Sequence, residues 1–285
     1  MSAPIPPSSG LSHAASLVSR FDRDRFATAL FAPLEQREAL MLLYAFNVEI
    51  ALVLESVREP MAGMIRLQWW QDTLIAGLDG GTCDNHPVAR PLCALIRDRN
   101  LPLEAFDDLI SARRDDLEGM APADLAAAER QAERSSAALT ALALAVLGDK
   151  TEDSRRLGRH VGIAWGLVGN LRALGHHLSI GKLTLPEDLL CAAGTSGEAV
   201  REGAASTDSL TQVARILGGQ ARHHLSEARR LRATRSGLPA VLPAILADGY
   251  LQVIEKAGWN PFDSRVSQSR PRPIRLMLAH LTGRI

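Results

Sequence analysis

The stretch from Ala39 to Leu54 constrains this chain more than any other. Only Asn47 and Glu49 interrupt an otherwise apolar run that includes Tyr44 and Phe46. A helix with one apolar stripe can lie on a surface, but a helix that is apolar all round must be enclosed. The run is also shorter than the roughly 20 apolar residues that cross a bilayer. It therefore predicts a buried central helix, and other helices must surround it.

The rest of the chain supplies them. Ala14–Phe31 carries apolar residues at helical spacing, and Pro33 starts a helix at Leu34. Pro60 and Gly63 are expected to interrupt the apolar run before a helix over Ile65–Leu78, which Gly80-Gly81 ends. His86-Pro87 opens a helix through Val88, Leu92 and Ile96, since proline in the first turn forfeits no hydrogen bond. Pro102 opens the next one, through Phe106, Leu109 and Ile110. Long Ala/Leu patterns follow over Ala123–Leu147 and over residues 153–178, broken at Leu185-Pro186. Residues 192–208, rich in Gly, Ser, Thr and Ala, read as a surface connection between these and helices at 209–233 and 238–258. No period-2 run suggests a strand. Aromatics are only 4% of the chain while Ala and Leu dominate, which also favours an all-α fold. The domain reads as residues 14–285, preceded by a disordered tail over residues 1–13.

Charge and cysteine usage narrow the partners. Lys+Arg and Asp+Glu balance at 32 each, so nothing points to nucleic acid. Residues 265–284 are locally basic, with Arg265, Arg270, Arg272, Arg275 and Arg284 and no acid; with interspersed Leu, such a tail suits contact with an anionic membrane surface. The three cysteines include no CxxC and fit reduced thiols. Cys83 and His86 share a CxxH spacing, but no second pair follows at zinc-site distance.

Several short segments, taken in order, resemble the squalene and phytoene synthases. They are Tyr44-Ala45-Phe46, His86-Pro87-Val88-Ala89, Asn100-Leu101-Pro102, Phe106-Asp107-Asp108-Leu109-Ile110, Asp116-Leu117-Glu118, Gly162-Ile163-Ala164, Leu171-Arg172, Leu185-Pro186, Leu242-Pro243-Ala244, Tyr250-Leu251 and Pro261-Phe262. The resemblance runs from about Ala14 to Phe262 and implies an isoprenoid-synthase helical bundle. It also implies chemistry in which two aspartate-rich helices hold Mg²⁺ on an allylic diphosphate, stabilising the charge of the leaving group.

The acids this chemistry needs are largely missing. After Tyr-Ala-Phe the family pattern is roughly C-R-x-x-D-D-x-x-D. Here Val48 stands at the arginine, Ala51 and Leu52 stand at the first two acids, and only Glu55 remains. The second pattern is roughly G-x-A-x-Q-L-x-N-x-x-R-D-x-x-E-D. It keeps Arg172 but has Gly166 and Gly169 at the amides and Ala173 and His177 at the aspartates. Neutral imidazole is a poor ligand for a hard ion that prefers oxygen.

These departures have their own pattern. Phe46-Asn47-Val48-Glu49, Gly63-Met64-Ile65-Arg66-Leu67-Gln68-Trp69-Trp70, Gly166, Leu171-Arg172-Ala173 and His177 are similar to a branch of the family, the complex I assembly factor 6 proteins. That resemblance implies a non-catalytic role in assembling respiratory complex I, with complex I subunits or another assembly factor as partners. It implies a cytoplasmic site in a bacterium, or the mitochondrial matrix in a eukaryote, with peripheral contact at the inner membrane.

No catalytic and no metal-binding residue is expected, and no cofactor. Tyr44, Glu49, Glu55, Arg66, Trp69, Arg172 and His177 are the candidate remnants of a ligand cavity, whose wall is expected to be apolar and to suit a lipid or isoprenoid. Arg172 is a candidate partner for Glu49 or Glu55. Trp69-Trp70 reads as core packing before tunnel lining. His176-His177 with His223-His224, and the pairs Asp107-Asp108 and Asp115-Asp116, read first as structural groups, with His223-His224 on a solvent-facing helix and Asp116 as a polar or capping site. The alternatives are an active prenyltransferase with an altered metal site, which would need Mg²⁺, and a terpenoid hydrolase or isomerase using a Glu or His acid.

Overall fold

The computed structural model describes residues 11–57, 59–78, 85–268 and 273–285. The expectations placed on Gly80-Gly81, Cys83, Arg270, Arg272 and the first ten residues lie outside that range. Among the described residues there are helices and turns but no strand.

The chain opens with α1 (His13–Phe21), whose N-terminus is capped by Ser12 accepting from the Ala15 amide at 3.0 Å. Ser12 and His13 thus belong to the folded domain and not to a tail. The helix expected over Ala14–Phe31 is broken at Asp22. Its carboxylate accepts from the Arg25 amide at 3.0 Å and starts α2 (Arg23–Ala29). Aspartate competes well for amides at a helix start, which is why the break falls there.

α3 (Leu34–Ala51) is the enclosed helix, buried almost without a gap from Leu40 to Phe46. Leu52 turns the chain into the short α4 (Val53–Ser56). α5 (Pro60–Leu78) starts at Pro60 and runs through Gly63, so neither residue interrupts a helix as expected. Pro60 sits where no amide is needed. Gly63 faces the Leu117 side chain, whose methyl groups would have to shift to admit a Cβ. α6 (Ala89–Arg99) and α7 (Leu103–Glu118) complete this half. Phe46 meets Trp70 edge-on at 5.1 Å and Phe106 at 5.4 Å, joining α3, α5 and α7 at one buried aromatic cluster.

The second half is built around one helix. α8 (Leu125–Ala132) passes through a π-turn (Glu133–Ala137) into α9 (Ala138–Val146), so the long Ala/Leu pattern is one rod with an extra residue in its middle. α10 (Glu152–Arg172) packs against that rod and continues into α11 (Leu174–Ser179). The stretch at 192–208 contains helix as well as loop. After α12 (Glu187–Ala192), α13 (Gly197–Arg201) turns Val200 into the core. α14 (Thr207–Ala228) lies along α10, and α15 (Leu238–Val241) leads into α16 (Pro243–Lys256). Leu238–Lys256 is long and apolar enough to cross a membrane, but 72% of that window is buried in the bundle, where it forms core. α17 (Ser264–Ser267) and α18 (Pro273–Thr282) end the chain.

α10 approaches the π-turn at backbone distance. A Cβ on Gly162 would lie 2.2 Å from Ala137 Cα, and one on Gly166 would lie 2.8 Å from Ala132 Cβ. Because the obstacle at Gly162 is main chain, no rotamer change can relieve it. Gly162→Ala is therefore expected to destabilise the protein by about 2 kcal/mol or more, read as a lower midpoint in urea unfolding. The control Gly169→Ala has open space in front of the added Cβ, and with alanine's better helix propensity it is expected to be neutral or to stabilise by up to about 1 kcal/mol.

Candidate functional site

A cavity of about 520 Å³ opens between α7, the α8–π-turn rod, α10 and α11. The family's second motif forms one wall through Gly166, Gly169, Arg172, Ala173, His176 and His177. Gly169 leaves open space, while Gly166 is filled by the approach of Ala132. The opposite wall carries Arg113, Asp116, Gln131, Ser135 and Ser136, and Arg25 and Lys182 also line the space. The expected apolar wall is thus replaced by a predominantly polar and cationic one. The reason is local: the sides facing the cavity from α7 and the π-turn carry Arg, Asp, Gln and Ser, and the second motif supplies Asn170 and His where apolar residues would be needed.

Asp116 is the one carboxylate in this lining among the described residues, and it is buried. It accepts from Arg113 at 2.8 Å, Lys182 at 2.8 Å and Gln131 at 3.2 Å. Burial pushes its pKa up, but Arg113 and Lys182 outweigh burial and hold it below the usual carboxylate range. Lys182 is aimed by the loop after α11. Gly181 adopts φ +80, and the Lys182 amide folds back to donate to the His177 carbonyl at 2.8 Å. Burial lowers the Lys182 pKa, against the pull of Asp116. His177 lies beside this pair. Burial, and then Lys182, push its pKa down to about 3, so the imidazole is neutral at physiological pH.

Of the other candidates Arg172 lines the cavity, and Tyr44, Glu49, Glu55, Arg66 and Trp69 are not part of its lining. Arg172 does not pair with Glu49 or Glu55. It donates to Asp24 at 3.1 Å and lies over the Tyr250 ring at 3.5 Å, while the Tyr250 hydroxyl donates to the same Asp24 at 2.7 Å. Glu49 takes Arg66 at 3.2 Å, and Arg66 also donates to Ser56 at 3.3 Å. Arg66 is closer along the chain fold because α5 runs back beside α3 and α4. Glu55 bonds His176 at 3.1 Å. Tyr44 is buried in α3 with the Arg25 guanidinium 5.9 Å from its ring centre, and burial raises its pKa. Trp69 packs edge-on against Trp70 at 5.0 Å and against His86 at 5.4 Å, as core packing requires.

The paired residues outside the motifs have structural partners. Asp115 pairs with Arg134, and Asp107 accepts from Gln71 at 3.1 Å. His224 is buried and not on a solvent-facing surface as expected. It bonds Glu129 at 2.9 Å and lies 2.9 Å from His160, nitrogen to nitrogen. Among the described residues no group of three or more His, Cys, Asp or Glu side chains converges as a metal set.

The donor chemistry does not fit the Mg²⁺ that the fold family uses. Ala51, Leu52 and Ala173 carry no donor atom at the motif positions, and His176 and His177 offer nitrogen. Glu55 is engaged by His176, and Asp116 is neutralised by two cations. A hard divalent ion needs several free oxygens, and this cavity supplies none of the family's clusters.

Sequence reasoning missed Lys182, Arg113, Gln131, Asp24 and Arg25. Lys182 carried one usable signal: it is one of only three lysines in a chain that otherwise relies on arginine, and it is flanked by glycine and leucine.

Comparison with known proteins agrees with this geometry. A family model described as squalene/phytoene synthase matches residues 18–272. The human protein named NADH dehydrogenase (ubiquinone) complex I, assembly factor 6, is 30% identical over 258 residues, covering 88% of this chain and 76% of its own. The rat protein of the same name is 30% identical over 273 residues, covering 94% and 80%. A presqualene diphosphate synthase from Rhodopseudomonas palustris is 25% identical, covering 81% of each chain. Among solved structures, a dehydrosqualene synthase in complex with ligand superposes with a TM-score of 0.80 at 17% identity, covering 95% and 94%. A squalene synthase from Alicyclobacillus acidocaldarius gives 0.76 at 21%, covering 87% and 94%. The fold is the all-α isoprenoid-synthase bundle.

Two measurements test the cavity electrostatics. A histidine with a depressed folded pKa stabilises the fold above the unfolded pKa of about 6.5 and loses that contribution as pH falls toward the folded value. Lowering the pH from about 7 to about 5 is expected to cost about 2 kcal/mol through His177, and His177→Gln should remove that part of the slope in urea titrations at each pH. Lys182→Met leaves Asp116 with one cation in a buried site, and a loss of about 3 kcal/mol is expected in the same assay.

Proposed function

The chain belongs to the squalene/phytoene synthase family, and we propose that it has left prenyl transfer and works as a non-catalytic assembly factor for respiratory complex I. The observation that carries the first part is the state of the carboxylates in the first motif and in the cavity. Two of the first motif's three acids are apolar residues, the third is hydrogen-bonded to an imidazole from the second motif, and Asp116 is neutralised by Arg113 and Lys182. Ionising an allylic diphosphate needs divalent metal between two acidic faces. Here the two faces are joined instead by the Glu55–His176 contact.

The second part is supported by the relatives. Those 30% identical to this chain carry the name of a complex I assembly factor, while the presqualene diphosphate synthases are more distant. An assembly factor needs a stable scaffold with partner-facing surfaces and no turnover. In this reading the partners are complex I subunits or a second assembly factor.

Two experiments decide. Purified protein with farnesyl or geranylgeranyl diphosphate and either Mg²⁺ or Mn²⁺ is expected to release no diphosphate above a heat-killed control; metal-dependent release would return the protein to the prenyltransferases. Deleting the gene in its own host is expected to lower assembled complex I, seen as a weaker NADH-oxidising band on native gels. Unchanged complex I in the deletion strain would remove the assembly role. Complementation with Glu55→Ala/His176→Ala, which dissolves the old site without touching the core, is expected to restore the band.

A further inference from the structure

α18 is apolar on the side where a surface helix is normally polar. Leu276 and Ala279 pack inward. On the opposite face Ile274, Met277, Leu278 and Leu281 are 70, 50, 53 and 62% exposed. At 100° per residue these four fall within a stripe of about 100°, centred opposite the packed face. The helix is therefore anchored by one apolar side and presents a second to the outside. Next to it, Phe31 touches His280 at 5.1 Å, and on the same turn between α2 and α3 Leu30 and Leu34 are exposed too.

The surroundings carry positive charge. A cleft of about 300 Å³ opens at the C-terminal end of α18, and Arg229, Arg232 and Arg284 line it beside Leu231 and Ile285. Arg229 is paired with Asp248 at 3.0 Å. Arg232 and Arg284 have no ion pair among the described residues. Arg235 donates to the Leu281 carbonyl at 3.3 Å, and Arg275, also exposed, flanks the stripe on α18. A continuous apolar face beside free guanidinium groups matches an interface of hydrocarbon beneath phosphate. A protein partner would need acids set among apolar residues, whereas an anionic bilayer offers both layers everywhere.

We propose that α18 docks this protein on an anionic phospholipid surface. Ile274, Met277, Leu278 and Leu281 enter the boundary between headgroups and acyl chains. Arg232 and Arg284 take lipid phosphate in the adjoining cleft, where the planar guanidinium suits two phosphate oxygens at once. The surface uses no residue of the central cavity's second-motif wall, so it holds whether or not the assembly role does.

Co-sedimentation of the full chain with vesicles tests this, using phosphatidylcholine alone and phosphatidylcholine with one-third phosphatidylglycerol. The wild-type protein is expected to pellet with the anionic vesicles at low salt, to be released by high salt, and to stay in solution with the neutral ones. Met277→Ser/Leu278→Ser should abolish pelleting. Arg232→Ala/Arg284→Ala should weaken it roughly thirtyfold, at roughly fivefold per arginine near a negative surface. All four positions are exposed, so helical circular dichroism should be unchanged and loss of binding is not loss of fold. Wild-type protein that stays in solution with anionic vesicles overturns the proposal. So does binding that survives both variants, or equal binding to neutral vesicles. Light scattering that shows a dimer split by Met277→Ser/Leu278→Ser, without vesicle binding, assigns the face to a second copy and overturns it as well.

Discussion

Two helices can meet at backbone distance only where one carries no side chain and the other no more than a methyl group. α10 meets the π-turn that way at Gly162 and Ala137, and again one turn later at Gly166 and Ala132. The contact sets the depth at which α10 sits, and α10 touches α8, α9, α14 and α16 as well. It also sets the cavity. The wall from Gly166 to His177 faces Asp116 and Gln131 across a gap whose width is fixed at the glycine end. The extra residue of the π-turn lets the rod bend around this contact while keeping its amides bonded.

Within that frame the polar groups answer one another in place of a ligand. A buried carboxylate without a partner costs several kcal/mol, so a cavity that loses its metals must lose its acids or neutralise them. Both are seen here. Ala51, Leu52 and Ala173 stand where the family pattern has acids. Asp116 is held by Arg113 and Lys182, Asp24 by Arg172 and Tyr250, and Glu55 by His176. The Arg172–Asp24–Tyr250 contact also ties α2 to α10 and α16, so an arginine that resembles a diphosphate ligand serves here as a structural clasp.

Much of the fold was legible because burial leaves a periodic trace. The run at Ala39–Leu54 marked the enclosed helix, and the proline positions marked most helix starts. The missing motif acids were legible because they occupy fixed spacings on two helices. Contacts between distant segments left no such trace. Glu49 has arginines at many separations, and only the return of α5 beside α3 selects Arg66 over Arg172. Lys182 depends on a left-handed turn at Gly181 that points it inward. Asp22 sits inside a helical pattern and breaks it, because a capping side chain outcompeted periodicity. The polar cavity wall was hidden for a related reason: which face of α7 and the π-turn looks inward is settled by packing.

The closeness of α10 to its neighbour also gives the scaffold a direction in time. In the family's pattern position 166 carries a glutamine, and here even a Cβ at that place lies within 2.8 Å of Ala132. Restoring the amide requires the opposite helix to withdraw, and withdrawal at Ala132 pulls on Ala137 and Gly162 one turn away. A glutamine at position 166 alone does not reopen the old site, because it meets a helix already settled against it, whereas position 169 still has open space. At this position the packing acts as a ratchet: the helix spacing must change before the family's amide can fit.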